Sequence, residues 1–168
     1  RSAVSFARSA ASRVPRMIIK VRDGSVPLMR FEVEDSCRRL GLEAIDVAQL
    51  VSMDPKPGNL VDQLRDGGGP LADELASLRR RGLIRNAVIF LTPENSDAAV
   101  EAAHNKLIDG VTLYWNVRQR DCTDTAWASI RQRQIPTLRA VHPFRKEEAQ
   151  LKHTLRRMHI FICNRAAH

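Results

Sequence analysis

Val111-Thr-Leu-Tyr-Trp-Asn-Val-Arg-Gln-Arg-Asp121 decides how this chain is read. With a period of two, Val111, Leu113, Trp115 and Val117 fall on one face, and Thr112, Tyr114, Asn116, Arg118 and Arg120 on the other. One face asks for a core, and the other carries charge. The segment reads as a β-strand over residues 111–118 whose end is strongly basic.

Working outward, a helix is expected from about Asp97 to Asp109. Ser96 is its N-cap, Val100, Ala103 and Leu107 form its apolar stripe, and Gly110 closes it. Ala87 to Leu91 before it is a buried type of strand. After it, Asp124 to Gln134 reads as a helix stopped by Pro136, followed by strands at Leu138 to Val141 and Leu155 to Cys163. The order β-α-β-α-β-β implies a two-layer sandwich, with two helices on one sheet face and the other face open.

Upstream, Met17 to Arg22 reads as a strand, Asp23-Gly24 as a turn and Val26 to Phe31 as a second extended piece. Glu32 to Leu40 has helical spacing of Val33, Cys37 and Leu40, with Gly41 as its stop. Ala44 to Leu50 returns to extended structure, and Asp54-Pro-Lys-Pro-Gly58 makes a stiff loop. Arg65-Asp-Gly-Gly-Gly-Pro70 breaks the chain, because three glycines and a proline are costly inside a helix or strand. Leu71 to Arg81 then forms a short basic helix.

These readings give a mixed α/β (α+β) fold of two small domains joined by a linker. A basic arm covers residues 1–16, an N-terminal domain 17–64, a Gly-rich hinge with the short helix 65–82, and a C-terminal domain 83–168.

The net charge of +8, from 27 Lys and Arg against 19 Asp and Glu, favours a polyanionic partner. From Ser129 onward nine Lys and Arg face only Glu147 and Glu148. The arginines suit bidentate phosphate contact. RNA contact is therefore expected at Arg118, Arg120, Arg131, Arg133, Arg156 and Arg157, with Tyr114 on the open face for stacking. Arg22, Arg38 and Arg39 are weaker contacts.

No apolar run approaches the roughly 20 residues of a membrane-spanning helix. Cys37, Cys122 and Cys163 form no close pair, and no His or Cys spacing suggests a metal site. No nucleophile with its base, and no nucleotide-binding glycine fingerprint, can be picked out. The reading is a non-enzymatic protein with no catalytic residues, no metal and no cofactor. The opening RSAVSFARSAASRVPR has no acidic residue and the composition of a transit peptide, which points to the mitochondrial matrix.

Ile19-Lys-Val-Arg-Asp-Gly24, Arg38-Arg-Leu-Gly-Leu42, Glu43-Ala-Ile-Asp-Val47, Pro55-Lys-Pro57 and Asn105 to Asp121 together resemble the translation initiation factor 3 family. Arg118-Gln-Arg-Asp121 stands where that family has Arg-Gly-Arg-Glu, and Leu155-Arg-Arg-Met158 resembles its closing strand. The resemblance implies a mitochondrial factor that binds the small ribosomal subunit through rRNA phosphates and prevents premature subunit joining. Its partners would be rRNA, platform proteins and initiator tRNA. The alternative is a resident small-subunit ribosomal or assembly protein of the same fold.

Overall fold

A computed structural model describes residues 16–22, 25–51, 64, 67–114 and 121–140. Strands and helices alternate: β1 (Ile18–Arg22), α1 (Val26–Leu40), β2 (Ile45–Val51), α2 (Pro70–Arg80), β3 (Ile84–Phe90), α3 (Ser96–His104), β4 (Gly110–Tyr114), α4 (Asp121–Gln132) and β5 (Thr137–Ala140). The strands form one five-stranded sheet in the order β1-β2-β3-β4-β5. Every neighbouring pair is parallel.

The α/β class expected from sequence is thus present. The two-layer β-α-β-α-β-β arrangement is not, because β2 pairs with β3 across the glycine run and each helix is a crossover between parallel neighbours. Such crossovers are right-handed almost without exception. Strands that advance one place at a time with constant handedness put all their helices on one side. The packing agrees: Met29, Val33 and Cys37 of α1, Leu71, Leu75 and Leu78 of α2, Ala98 to Val100 of α3 and Ile130 of α4 share one apolar cluster with the sheet.

The helices are punctuated alike. After α1, Gly41 is left-handed (φ 63°), its N–H donates to the Arg38 carbonyl, and Leu42 N–H donates to the Cys37 carbonyl at 2.9 Å. The same closure recurs with Gly82 and Leu83 after α2, Lys106 and Leu107 after α3, and Gln134 and Ile135 after α4. In each, the left-handed residue reverses the backbone, satisfies the last carbonyls and drops an apolar side chain under the helix. Four repeats of strand, helix and this turn build the layer.

One local expectation fails for a clear reason. Val26 to Phe31 is the first half of α1, not extended chain. Ser25 is the N-cap, its Oγ accepts from Leu28 N–H at 3.2 Å, and Pro27 sits in the first turn, where a missing N–H costs nothing. Similarly, Ser96 begins α3 while Asn95 occupies the cap position, and Gly110 opens β4. Gly110 is required there: an added Cβ would lie 2.4 Å from the Pro136 carbonyl oxygen. The loop at residues 54–58 and the strand at 155–163 lie outside the described residues.

Candidate active site at the carboxyl ends of the strands

Parallel strands bring all their carboxyl ends to one rim, and the loops leaving that rim are where open and closed βα sheets place their chemistry. Here the rim holds Arg22, Val51, Phe90, Tyr114 and Ala140, the last residues of the five strands.

The two sheet faces differ in chemistry. Val21, Leu50, Ile89 and Val111 stand side by side in register and are fully buried against the helices. Alternation turns their neighbours the other way. On that second face Lys20 stands beside Gln49, Gln49 beside Val88 and Val88 beside Gly110, with Phe90 beside Thr112 one step nearer the rim. Gln49 is 2% exposed and Thr112 3%, yet among the described residues Gln49 Oε1 and Thr112 Oγ1 have no hydrogen-bond partner. A buried polar atom left unpaired costs about 1–3 kcal/mol, so two on one face mark where a hydrogen-bonding group belongs.

The β3–α3 connection is built from its own side chains. Asn95, 1% exposed, accepts from Thr92 N–H at 2.9 Å through Oδ1 and donates to the Phe90 carbonyl at 3.1 Å through Nδ2. Ser96 Oγ donates to the Pro93 carbonyl. Among the described residues Thr92 Oγ1 is buried without a hydrogen-bond partner, a third such atom near the rim.

At β1, Arg22 Nε donates to Glu32 Oε1 at 2.8 Å, Nη2 lies 2.7 Å from the same oxygen, and Arg22 N–H donates to Glu32 Oε2 at 2.9 Å.

The groups with displaced acidity lie in the helix layer, away from the rim. Hydrogen bonding to Arg30 holds the Glu74 carboxyl below the usual range, and burial pushes the Cys37 thiol up. Glu74 and Arg30 tie α2 to α1, and Arg81 with Glu34 repeats the link. At the sheet's opposite end, Asp109 accepts from Ala87 N–H and Arg79, both at 2.7 Å, fixing the start of β4 against β3.

Among the described residues, the arginines expected to contact RNA lie at both ends of the sheet. Arg22 is at the rim, whereas Arg38 and Arg39 occupy the last turn of α1 and both pair with Asp35. Arg131 lies in the last turn of α4 and Arg133 follows the helix, both exposed. Because helices run back against the strands, these four lie at the opposite end from Arg22. Tyr114 ends β4, while Arg118, Arg120, Arg156 and Arg157 lie outside the described residues. Gln49, Thr92, Thr112 and Asn95 were missed from sequence; their only signal is a polar residue interrupting an apolar strand or following its end.

Among the described residues no group of three His, Cys, Asp or Glu could hold a metal ion, and no helix is long and apolar enough to cross a membrane.

A sequential, all-parallel βα sheet with its helices on one side is the architecture of βα barrels. Comparison with solved structures gives that class a particular form. An aldo/keto reductase from Klebsiella pneumoniae in complex with NADP and acetate is 17% identical, with a TM-score of 0.61, over 90% of this chain and 53% of that one. A glycerol dehydrogenase from Gluconobacter oxydans is 22% identical, with a TM-score of 0.60, over 98% and 48%. The holo form of an aldo-keto reductase from Bacillus halodurans is 18% identical, with a TM-score of 0.61, over 86% and 50%. The likeness is one of fold, and the chain spans about half the length of these structures. No protein-family model and no curated protein matches the sequence.

This overturns the resemblance to translation initiation factor 3, and with it the ribosome-binding role and its resident ribosomal alternative. The expectation of a non-enzymatic protein is overturned too, since the solved structures that share this fold are aldo/keto reductases and a glycerol dehydrogenase. The matched motifs are short strand and helix-end signals; Arg39-Leu-Gly-Leu42 among them is the turn that closes α1 ahead of a parallel strand.

Proposed function

We propose that this chain is part of a βα-barrel oxidoreductase of the aldo/keto reductase kind, using NADP with a small carbonyl compound or its alcohol. The observation that carries the reading is the five-stranded sequential parallel sheet, whose face away from the helices bears buried, unpaired polar atoms near the rim. The solved complex with NADP and the glycerol dehydrogenase supply the cofactor and the substrate class.

The side chains fit such a group. Gln49 offers an amide, and Thr92 and Thr112 hydroxyls that donate or accept, a set suited to the neutral amide and hydroxyl edges of a nicotinamide nucleotide. These three would hold that edge. When bound, the cofactor supplies or accepts hydride. The protein's part is orientation: Asn95 fixes the loop that carries Thr92, and Val88, buried beside Gln49, excludes water there.

The test is titration of the full-length protein with NADPH, followed by tryptophan fluorescence, and then NADPH consumption with a panel of aldehydes and ketones. Saturable binding weakened by Thr112→Val is expected. A protein shown by circular dichroism to be folded, yet binding neither NADPH nor NADP and consuming none, overturns the reading.

A further inference from the structure

Arg22 has a geometry that its ion pair does not exhaust. It is the last residue of β1, on the rim where the proposed chemistry lies. Its Nε and Nη2 converge on one oxygen of Glu32, and its own N–H holds the other. Glu32 is only 17% exposed, packed in α1, while the arginine side chain is 62% exposed. Among the described residues, Nη1 has no hydrogen bond. One edge of the guanidinium is thus fixed from the protein side, and the other is presented to solvent.

A surface ion pair ordinarily contributes little to stability. An arginine already fixed by a carboxylate loses less side-chain freedom when it takes a second anion, and its planar fork matches two-oxygen acceptors. The chain's net charge of +8 adds long-range attraction for such ligands.

We propose that Arg22 is a specificity residue that draws an anionic group, a carboxylate or phosphate, to the rim, with Glu32 as its positioning residue. The inference rests on the oxidoreductase reading and deepens it: the favoured carbonyl substrates carry a negative charge. A phosphate of the cofactor would present the same chemistry, and the experiment separates the two.

The full-length protein and its Arg22→Ala, Arg22→Lys and Glu32→Gln variants are assayed with an aldehyde bearing a terminal carboxylate and with the neutral aldehyde of equal chain length. NADPH and NADH are compared as reductants. Arg22→Ala is expected to lower kcat/KM for the anionic aldehyde relative to the neutral one by roughly tenfold to a hundredfold, as loss of a charged hydrogen bond implies, and through KM rather than kcat. Arg22→Lys should restore part of that preference, and Glu32→Gln should weaken it with the arginine still present. A loss of preference for NADPH over NADH, with the aldehyde ratio unchanged, overturns the substrate assignment in favour of the cofactor phosphate. An equal fall for both aldehydes, or no change, overturns the inference while leaving the oxidoreductase reading intact. Failure of the unmodified protein to bind or consume NADPH overturns that reading, and this inference with it.

Discussion

Replacing Gly110 by alanine tests the closest backbone approach in the sheet. The new Cβ would sit 2.4 Å from the Pro136 carbonyl oxygen, 3.1 Å from its carbon and 3.2 Å from its Cβ, whereas ordinary contact begins near 3.4 Å. The obstruction is mainly backbone, so no rotamer relieves it, and the segment leading into β5 must retreat by roughly 1 Å. That same carbonyl accepts from Val111 N–H at 3.0 Å, and the retreat strains the bond that starts the β4–β5 pairing. Overpacking costs about 1–3 kcal/mol, and a weakened hydrogen bond adds about 1 kcal/mol. The expected loss is therefore about 2–4 kcal/mol, or roughly 5–15 °C in Tm for a chain of this size. Urea unfolding followed by circular dichroism measures it. Gly68→Ala, where an added Cβ meets nothing within 4 Å, serves as control and should change stability by less than about 0.5 kcal/mol. A Gly110→Ala protein as stable as that control, with the same dependence on urea, refutes the close approach and the register built on it.

Two further outcomes concern the helix layer, beside the cofactor and arginine tests above. Hydrogen bonding to Arg30 lowers the Glu74 carboxyl in the folded state, so its stabilisation is present above the unfolded glutamate value of about 4.3 and is lost as pH falls through the lower folded value. The urea midpoint of the unmodified protein should drop more steeply on acidification in that range than that of Glu74→Gln; parallel curves contradict the assignment. Gln134 closes α4 in the left-handed conformation at φ 51°, so Gln134→Gly should raise stability by roughly 1 kcal/mol in thermal unfolding, and destabilisation would show that its side chain matters more than its backbone.

Much of the local structure is legible in the sequence because it depends on near neighbours. Gly41 after Arg38-Arg39-Leu40 marks the end of α1, Leu71, Leu75 and Leu78 mark the buried stripe of α2, and Ala87 to Leu91 reads as strand from its apolar run alone. The first half of α1 was legible too, in Ser25 followed by Pro27 and the spacing of Met29, Val33 and Cys37. The β-branched and apolar start of the segment outweighed that signal. The candidate site was far less legible. Gln49 and Thr112 are single polar residues in apolar strands, and nothing local shows that they share a face across two intervening strand gaps.

The sequence by itself determined most of the helical and extended stretches, the stop of α1 at Gly41 and which side chains seek a core, since these follow from spacing and the left-handed preference of glycine. Only the tertiary structure decided that the strands run parallel in sequential order. A short apolar strand offers the same two faces to a parallel or an antiparallel neighbour, and it is the docking of each helix across β1-β2-β3-β4-β5 that selects the pairing. That choice, made by contacts distant in sequence, carries Arg22, Thr92 and Thr112 to one rim and leaves Arg38, Arg39, Arg131 and Arg133 at the other end.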